Sequence, residues 1–450
     1  MVTRHIVFRW FAAISLLAAL ITPSSARMRP RYGGTLRIET RSDPLKAPDG
    51  IARPLIFDTL TQFNRIGHLV PGLASSWDWG PPYRRWEFHL RPGVRFHDGS
   101  LLTAQAVAMS LAQSCGACGW RVRAVGDSVI ITSESPMPNL DQELARSEYA
   151  ITRKDDDGNP DGTGSFRFAA KSEGVLLVRA NEDSWQGRPF VDAVEIYSGR
   201  SVRAQWLDFS VGKADLVEVP PELLHVAQQE HMPLLQPDWP SELLALTVSD
   251  QRIPDVHLRE SIALAVDRTA LFNVIYQKQG EMTGGLLPSA LSAYSFLFPT
   301  AGNLPRAREL RGGQSSQLRL GVDASDPTLK LVAERLALNL RDAGWNVQVS
   351  PQSANAHADL TLTAVHLDAA RPAPALREMI TRFGGSFDEE VADPDPASLY
   401  GHEKAFLRSY TVVPLLYLPR AYGISSRVHN LALTPDGTPL PANASLEDSK

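Results

Sequence analysis

The sequence has few cysteines and no excess of positive charge. Only Cys115 and Cys118 are cysteines among 450 residues, and 45 lysines and arginines stand against 50 aspartates and glutamates. Attraction to phosphate groups supplies much of the affinity of nucleic-acid-binding proteins, and a formal net charge of −5 argues against that class. We therefore expect no nucleic-acid partner.

The short motifs of common enzyme sites are also missing. The sequence has no glycine-rich phosphate loop, no His-Glu-x-x-His zinc motif and no Gly-x-Ser-x-Gly nucleophile motif. Its 11 histidines are scattered, and neither His225 with His231 nor His357 with His366 has a spacing that places both rings on one face. We expect no catalytic residue, no metal and no cofactor.

A marked apolar run occurs at the N-terminus. Arg4, His5 and Arg9 precede apolar residues 10–21, and the small residues Ser24 and Ala26 follow. This pattern predicts an export signal peptide, residues 1–26, with cleavage that leaves a soluble periplasmic protein. The alternative is a short membrane anchor, although the run is shorter than the roughly 20 apolar residues that span a bilayer.

The two cysteines form the segment Cys115-Gly116-Ala117-Cys118. In an oxidising compartment such a close pair favours a local disulfide, and two free thiols remain the alternative. A redox-active pair is disfavoured because the segment follows an apparent helix over residues 103–114. A helix C-terminus does not stabilise a thiolate.

Hydrophobic periodicity predicts both hairpins and parallel units. Residues 84–96 alternate polar and apolar around Pro92-Gly93, which indicates a hairpin. Residues 318–349 are typical of strand, helix and strand in a parallel βαβ unit. We therefore expect an α/β fold of more than one domain, with a loop or disordered tail after Thr434.

Several motifs, taken in order, resemble those of one known family. The most specific is WEFHLRPGVRFHDG at 86–99, and others are YGGTL at 32–36, LVPGLASSW at 69–77, GTGSF at 162–166 and VPLLY at 413–417. The chain thereby resembles the bacterial extracellular solute-binding proteins of family 5, the group of dipeptide, oligopeptide and nickel binders.

This resemblance implies a two-lobed periplasmic-binding-protein clamp of type II, similar to cluster C, with an extra strand-rich domain inserted in lobe I. The implied boundaries are 32–55, 165–249 and 411–435 for lobe I, 56–164 for the inserted subdomain, and 250–410 for an α/β lobe II.

The function that the resemblance implies is the substrate-binding component of an ABC importer. Such a protein captures a short peptide or similar small solute by lobe closure and delivers it, as a monomer, to an inner-membrane permease. Two other classes remain open: a non-transport periplasmic sensor or chaperone of the same fold, and a periplasmic hydrolase.

Four residues are candidates for ligand binding. Asp368 follows a predicted strand where the family carries an aspartate that holds a peptide's free amine, although Ala364-Val365 replaces the family's Gly-Trp pair before it. Trp239 precedes the predicted strand at 243–248 and could face the cleft, and Tyr32 and Arg53 could contribute from lobe I. The alternatives are a solvated loop aspartate and a packed tryptophan.

Overall fold

The structure, a computed structural model, describes residues 31–447 except 47–49, 65–66, 117, 293, 314–316, 324, 353–357, 370 and 388–393. The predicted signal peptide and His357 lie outside the described residues. None of the described helices has the length and apolar character needed to cross a membrane.

Lobe I is built on a seven-stranded sheet. Thr35–Glu39 lies near its centre, where the alternating Leu36 and Ile38 are buried, and pairs in parallel with both neighbours. The outer pairings are antiparallel. In sheet order the strands are Phe166–Ser172, Val175–Ala180, Ala193–Tyr197, Thr35–Glu39, Leu216–Val219, Ala421–Ile424 and Leu234–Leu235.

The inserted subdomain is a four-stranded antiparallel sheet covered by the helix Ala104–Ser114. Thr103 caps that helix by accepting a hydrogen bond from the Ala106 backbone N–H. Trp86 and Phe88 are buried in its core, which confirms the predicted strand and its inward face. The hairpin predicted around Pro92-Gly93 is wrong: residues 91–96 do not pair with Arg85–Leu90, whose partners are Ala74–Gly80 and Ser128–Ser133. Val94 and Phe96 are nevertheless buried in the same core, so their apolar alternation reflects burial without strand pairing. In sheet order the strands are Ala74–Gly80, Arg85–Leu90, Ser128–Ser133 and Trp120–Val125.

Lobe II is built on a six-stranded sheet that contains the predicted βαβ unit. Gln317–Val322 and Asn346–Pro351 pair in parallel, and the helix Pro327–Asp342 connects them. Asp326 caps this helix, and Gly344 follows its end with a φ of +92°. In sheet order the strands are Glu281–Met282, Val412–Leu418, Glu242–Val248, Leu360–His366, Gln317–Val322 and Asn346–Pro351.

Two strands lie in a different lobe from the one that the sequence predicted. Glu242–Val248 and Val412–Leu418 were expected in lobe I, but they pair with each other in the lobe II sheet. Their apolar runs identify buried strands, yet such a run does not say which sheet will bury it. The chain therefore passes between the lobes twice, at 236–241 and at 419–420, and these two segments are here called the hinge crossings.

The C-terminal tail also differs from expectation. Beyond Thr434 it forms the short strands Pro439–Leu440 and Ser445–Leu446. Leu433 and Ala444 pack into the lobe I core, so burial of apolar side chains holds the tail in place.

The remaining regular elements are short or connect the sheets. The helices are Arg53–Ile56, Leu140–Glu143, Ser147–Tyr149, Val202–Ser210, Pro221–Leu223, Leu224–Gln229, Val256–Ala265, Arg268–Ala270, Leu271–Ile275, Ser289–Ser292, Leu304–Arg311, Pro372–Arg382, Pro396–Leu407 and Pro441–Asn443. The other strands are Thr61–Phe63, Leu69–Pro71, Arg153–Lys154, Pro160–Asp161, Val428–His429 and Ala432–Leu433.

Candidate functional site

Lobe I, its inserted subdomain and the C-terminal tail enclose a hollow of about 230 Å³, here called the cleft hollow, which lobe II reaches through Asp368. Phe57, Asp58 and Ser147 line it from the lobe I side, Asp368 lines it from lobe II, and the C-terminal tail closes it with Asp436. Residues distant in sequence therefore meet at one place, as a ligand site between lobes requires.

Asp368 lies in the cleft hollow directly after the strand Leu360–His366, and 15% of its side chain is exposed. The Asp368 carboxylate already has cationic partners. Arg382 Nη2 donates to Asp368 Oδ2 at 2.7 Å, and Arg146 Nε lies 3.6 Å from the same oxygen. The structure thus places Asp368 where a ligand could reach it, within a cluster of charges.

The cleft ion cluster comprises Arg146, Glu148, Asp368, Glu378 and Arg382. Arg146 and Glu148 come from the inserted subdomain, and the other three come from lobe II. Arg146 Nη2 lies 2.8 Å from Glu148 Oε2 and 3.7 Å from Glu378 Oε1, while Arg382 Nη2 lies 2.9 Å from Glu378 Oε1. The cluster therefore joins the inserted subdomain to lobe II by ion pairs.

Burial and neighbouring charges shift the pKa values of this cluster. Burial, together with the neighbouring Asp368 carboxylate, raises the pKa of Glu378 to about 7. For Arg146, burial opposes the charged form, but the carboxylates of Glu378, Glu148 and Asp368 outweigh it and raise its pKa. Arg146 is consequently a fixed cation in the cleft, whereas Glu378 can gain a proton near neutral pH.

Arg146 stands between the cleft hollow and a second hollow of about 340 Å³. The second hollow also lies between the inserted subdomain and lobe II, with Glu143 and Tyr149 on one wall and Arg382 on the other. The side chain of Arg146 therefore limits how far a ligand extends from the cleft hollow in this direction.

A hinge network of Ser241, His366, Arg420 and Asp436 lies beside the cleft hollow. His366 Nε2 is 3.2 Å from Asp436 Oδ2 and 3.5 Å from Arg420 Nη1, and Ser241 Oγ donates to the Asp436 carbonyl at 2.9 Å. Burial alone would raise the pKa of Asp436, but the bond from His366 reverses this and lowers it to about 2. Burial would lower the pKa of His366, and the same bond raises it.

His366, Asp368 and Asp436 also offer ligand atoms within 4.8 Å of one another, a spacing that could hold a metal ion. However, Arg382 bonds Asp368, and Arg420 lies against His366. Positive charge is thus already present around these donors, and the arrangement is better described as a network of ion pairs.

The structure does not bring the other candidates into the lining of the cleft hollow. Tyr32 is 63% exposed, and its ring packs at a tilt against that of Phe190, with 4.9 Å between ring centroids. Trp239 lies half-buried in the first hinge crossing. Arg53 does not line the hollow but contacts a residue that does: its Nη2 donates to the backbone carbonyl of Ser147 at 2.9 Å.

Sequence reasoning missed Arg146, Glu378, Arg382, His366 and Asp436. One signal was available: Glu378 falls on the apolar face of the helix Pro372–Arg382, among Ala375, Leu376, Met379 and Ile380. A carboxylate at such a position is buried, and a buried carboxylate requires a partner. The identity of that partner depends on tertiary structure.

The model of "Bacterial extracellular solute-binding proteins, family 5 Middle" matches residues 68–117 and 121–383. Di/tripeptide-binding protein 1 of Pseudomonas aeruginosa is 24% identical over 342 residues, which cover 63% of this chain and 64% of the relative. The matched segments span less than two thirds of the length of the first curated relatives.

Solved structures with a similar fold include two ligand complexes. The peptide-bound DppA of Helicobacter pylori has a TM-score of 0.79 and 19% identity, covering 93% of this chain and 99% of that one. AgaA of A. tumefaciens, bound to agropinic acid, has a TM-score of 0.80 and 20% identity, covering 93% of this chain and 99% of that one. These likenesses show the two-lobed α/β clamp.

Proposed function

Because the chain belongs to the bacterial extracellular solute-binding proteins of family 5, we propose that it is the substrate-binding component of an ABC importer. The observation that carries the proposal is the cleft hollow, lined from both lobes and flanked by two hinge crossings. A ligand in this position contacts both lobes only when they are closed, so its binding favours the closed state. The closed protein then docks on a membrane permease.

We propose a short peptide with a free amine as the ligand. The titratable groups that line the cleft hollow are the carboxylates of Asp58, Asp368 and Asp436 and the guanidinium of Arg146. Arg382 and His366 lie beside two of these carboxylates, but the lining itself carries more negative than positive groups, which favours a ligand with a cationic group. The volume of about 230 Å³ lies below the roughly 300–1,000 Å³ of common ligand pockets, which favours a small ligand.

Asp368 is the proposed partner of the ligand's ammonium group. Its Oδ2 is bonded to Arg382, while Oδ1 lies 3.7 Å from His366, beyond hydrogen-bond distance. An ammonium group could therefore bind Oδ1 without displacing Arg382. Asp58 is less suited, because its oxygens already accept bonds from Thr163, Trp185 and Gln186.

We further propose that the mature protein acts in the periplasm as a monomer without enzymatic activity. The basic start, the apolar run and the small residues at Ser24 and Ala26 support export through a cleaved signal peptide. The absence of a recognisable nucleophile or zinc motif in the sequence supports binding rather than catalysis.

A thermal-shift screen of the mature protein tests this function. Di- and tripeptides with free amines are compared with their N-acetylated forms and with sugars. A ligand at a hundredfold its dissociation constant adds about 2.7 kcal/mol of stability, enough for a visible rise in melting temperature. We expect the rise with free-amine peptides.

Asp368→Asn should remove the response to free-amine peptides, and Asp250→Asn is the matched control because Asp250 is exposed in a turn. A response of the wild type to sugars alone would reject the peptide assignment. An unchanged peptide response in Asp368→Asn would reject the amine anchor and leave the transport role standing.

A further inference from the structure

Lobe II carries a groove of about 840 Å³, here called the distal groove. Val412, Val413 and Pro414, the first residues of the strand Val412–Leu418, form part of its wall. The hinge and cleft lie beyond the other end of this strand, and seven extended residues span about 20 Å. The distal groove is therefore separate from the cleft hollow, and its volume falls in the range of about 300–1,000 Å³ usual for ligand sites.

A buried arginine forms one wall of the distal groove. Only 6% of Arg268 is exposed, and its guanidinium donates from Nε to the Pro414 carbonyl at 2.8 Å and from Nη1 to the Thr300 carbonyl at 3.1 Å. Both partners are neutral. Across the described part of the chain, no ion pair involves Arg268.

The charge of Arg268 is thus not balanced by a carboxylate. Burial lowers its pKa to about 10, with no neighbouring acid to oppose the effect. Arg268 nevertheless remains a cation at neutral pH. A buried cation without a counter-ion is destabilising, and an anion bound in the groove would compensate it.

The rest of the lining points to the same kind of ligand. It includes the cations Lys404 and Arg408 and no aspartate or glutamate. Glu403, on the same helix as Lys404, is fully buried and instead accepts a bond from the Leu286 backbone N–H. The remaining wall is mostly apolar or aromatic: Ala263, Leu264, Phe298, Tyr400, Leu407 and Val413.

The edge of the groove is unusually apolar for a protein surface. Phe296 is 71% exposed and Leu297 is 80% exposed, and both belong to the lining. Large exposed side chains that adjoin an apolar groove indicate a surface that is covered when a ligand binds.

We propose that the distal groove binds an amphipathic anion of the fatty-acid type, with its carboxylate at Arg268 and its aliphatic chain along the apolar wall. This ligand matches both features of the groove: a buried cation without a counter-ion and an apolar surface that reaches the solvent. The site is independent of the solute bound between the lobes.

Titration calorimetry of the mature protein with dodecanoate below its micelle concentration tests the proposal. We expect one molecule to bind per chain, with no comparable binding of dodecyltrimethylammonium, which carries the opposite charge on the same chain. Arg268→Gln should weaken dodecanoate binding at least about tenfold, because a charge-assisted hydrogen bond to a buried side chain is lost.

A second pair of variants keeps the test valid if Arg268→Gln fails to fold. Ala397 is exposed, lies on the helix Pro396–Leu407 and lines the groove, so Ala397→Trp should block binding. Ala405→Trp places the same side chain at an exposed position of that helix outside the lining, and should bind normally. Equal binding of the cationic detergent, or full affinity in Ala397→Trp, would overturn the proposal.

Discussion

Replacing Asp436 with asparagine should lower the free energy of unfolding by about 2 kcal/mol near pH 6. Asp436 joins the C-terminal tail to the hinge, because its carboxylate lies 3.2 Å from His366 Nε2 and accepts a bond from Thr438 Oγ1 at 2.7 Å. Asparagine has nearly the same shape but no charge. The substitution therefore measures what the charge of Asp436 contributes to the free energy of unfolding.

The magnitude follows from the pKa of the carboxyl group. Burial alone would raise this pKa above its ordinary value of 3.8, yet the bond from His366 lowers it to about 2. Each unit of difference between folded and unfolded chain corresponds to about 1.4 kcal/mol. A difference of nearly two units gives the expected loss, and little solvent screening applies because only 17% of the side chain is exposed.

The contribution of this ion pair to the free energy of unfolding should decrease both at low pH and at high pH. A lowered carboxyl pKa stabilises the protein above pH 3.8, and this contribution disappears as the pH falls towards about 2. A raised histidine pKa stabilises the protein below pH 6.5, and the contribution of His366 is lost as the pH rises through its folded value. The difference between wild type and Asp436→Asn should therefore be largest between pH 4 and 6.

Urea unfolding at pH 3, 4, 6 and 9 measures this difference. Asp238→Asn is the matched control: it removes the same charge from an exposed position in the first hinge crossing. Equal unfolding midpoints for the two variants at pH 6 would refute the reasoning, as would a difference that does not narrow at pH 3.

Three further predictions concern export, the cysteines and the core. Mass spectrometry of periplasmic protein should find an N-terminus at Arg27, and an intact Met1 in the membrane fraction would contradict the cleaved signal. The Cα atoms of Cys115 and Cys118 lie 5.2 Å apart, within reach of the predicted disulfide, so thiol titration of the unreduced protein should find no free thiol; two reactive thiols would reject the disulfide. Trp86→Ala should cost about 3–5 kcal/mol of stability in calorimetry, because Trp86 is 2% exposed; a loss below 1 kcal/mol would show that the site repacks.

Ion pairs link the inserted subdomain to lobe II. Arg146 Nε of the inserted subdomain lies 3.6 Å from Asp368 Oδ2 of lobe II, and Arg146 Nη2 lies 3.7 Å from Glu378 Oε1. The position of Glu378, whose pKa is about 7, makes these pairs sensitive to pH in the neutral range.

The sequence by itself determined the local elements of this protein. The alternation of Trp86 and Phe88 identified a strand and its buried face, and Asp326 and Gly344 marked the ends of a helix between parallel strands. These features depend on residues close together in the chain, where side-chain periodicity and capping act. The ordered motifs around residues 86–99 were specific enough to indicate the family, which the family model confirms.

Only the tertiary structure decided which lobe receives the strands Glu242–Val248 and Val412–Leu418, and which charges surround Asp368. Arg146 and Asp368 are separated by 222 positions, and His366 and Asp436 by 70. Pairing at such separations leaves no periodic pattern in the sequence. The residues around a buried strand do not specify its partner strand, and the residues around a buried charge do not specify its ion-pair partner. Folding brings these partners together, and the ion pairs and pKa values of the cleft depend on which residues are then neighbours.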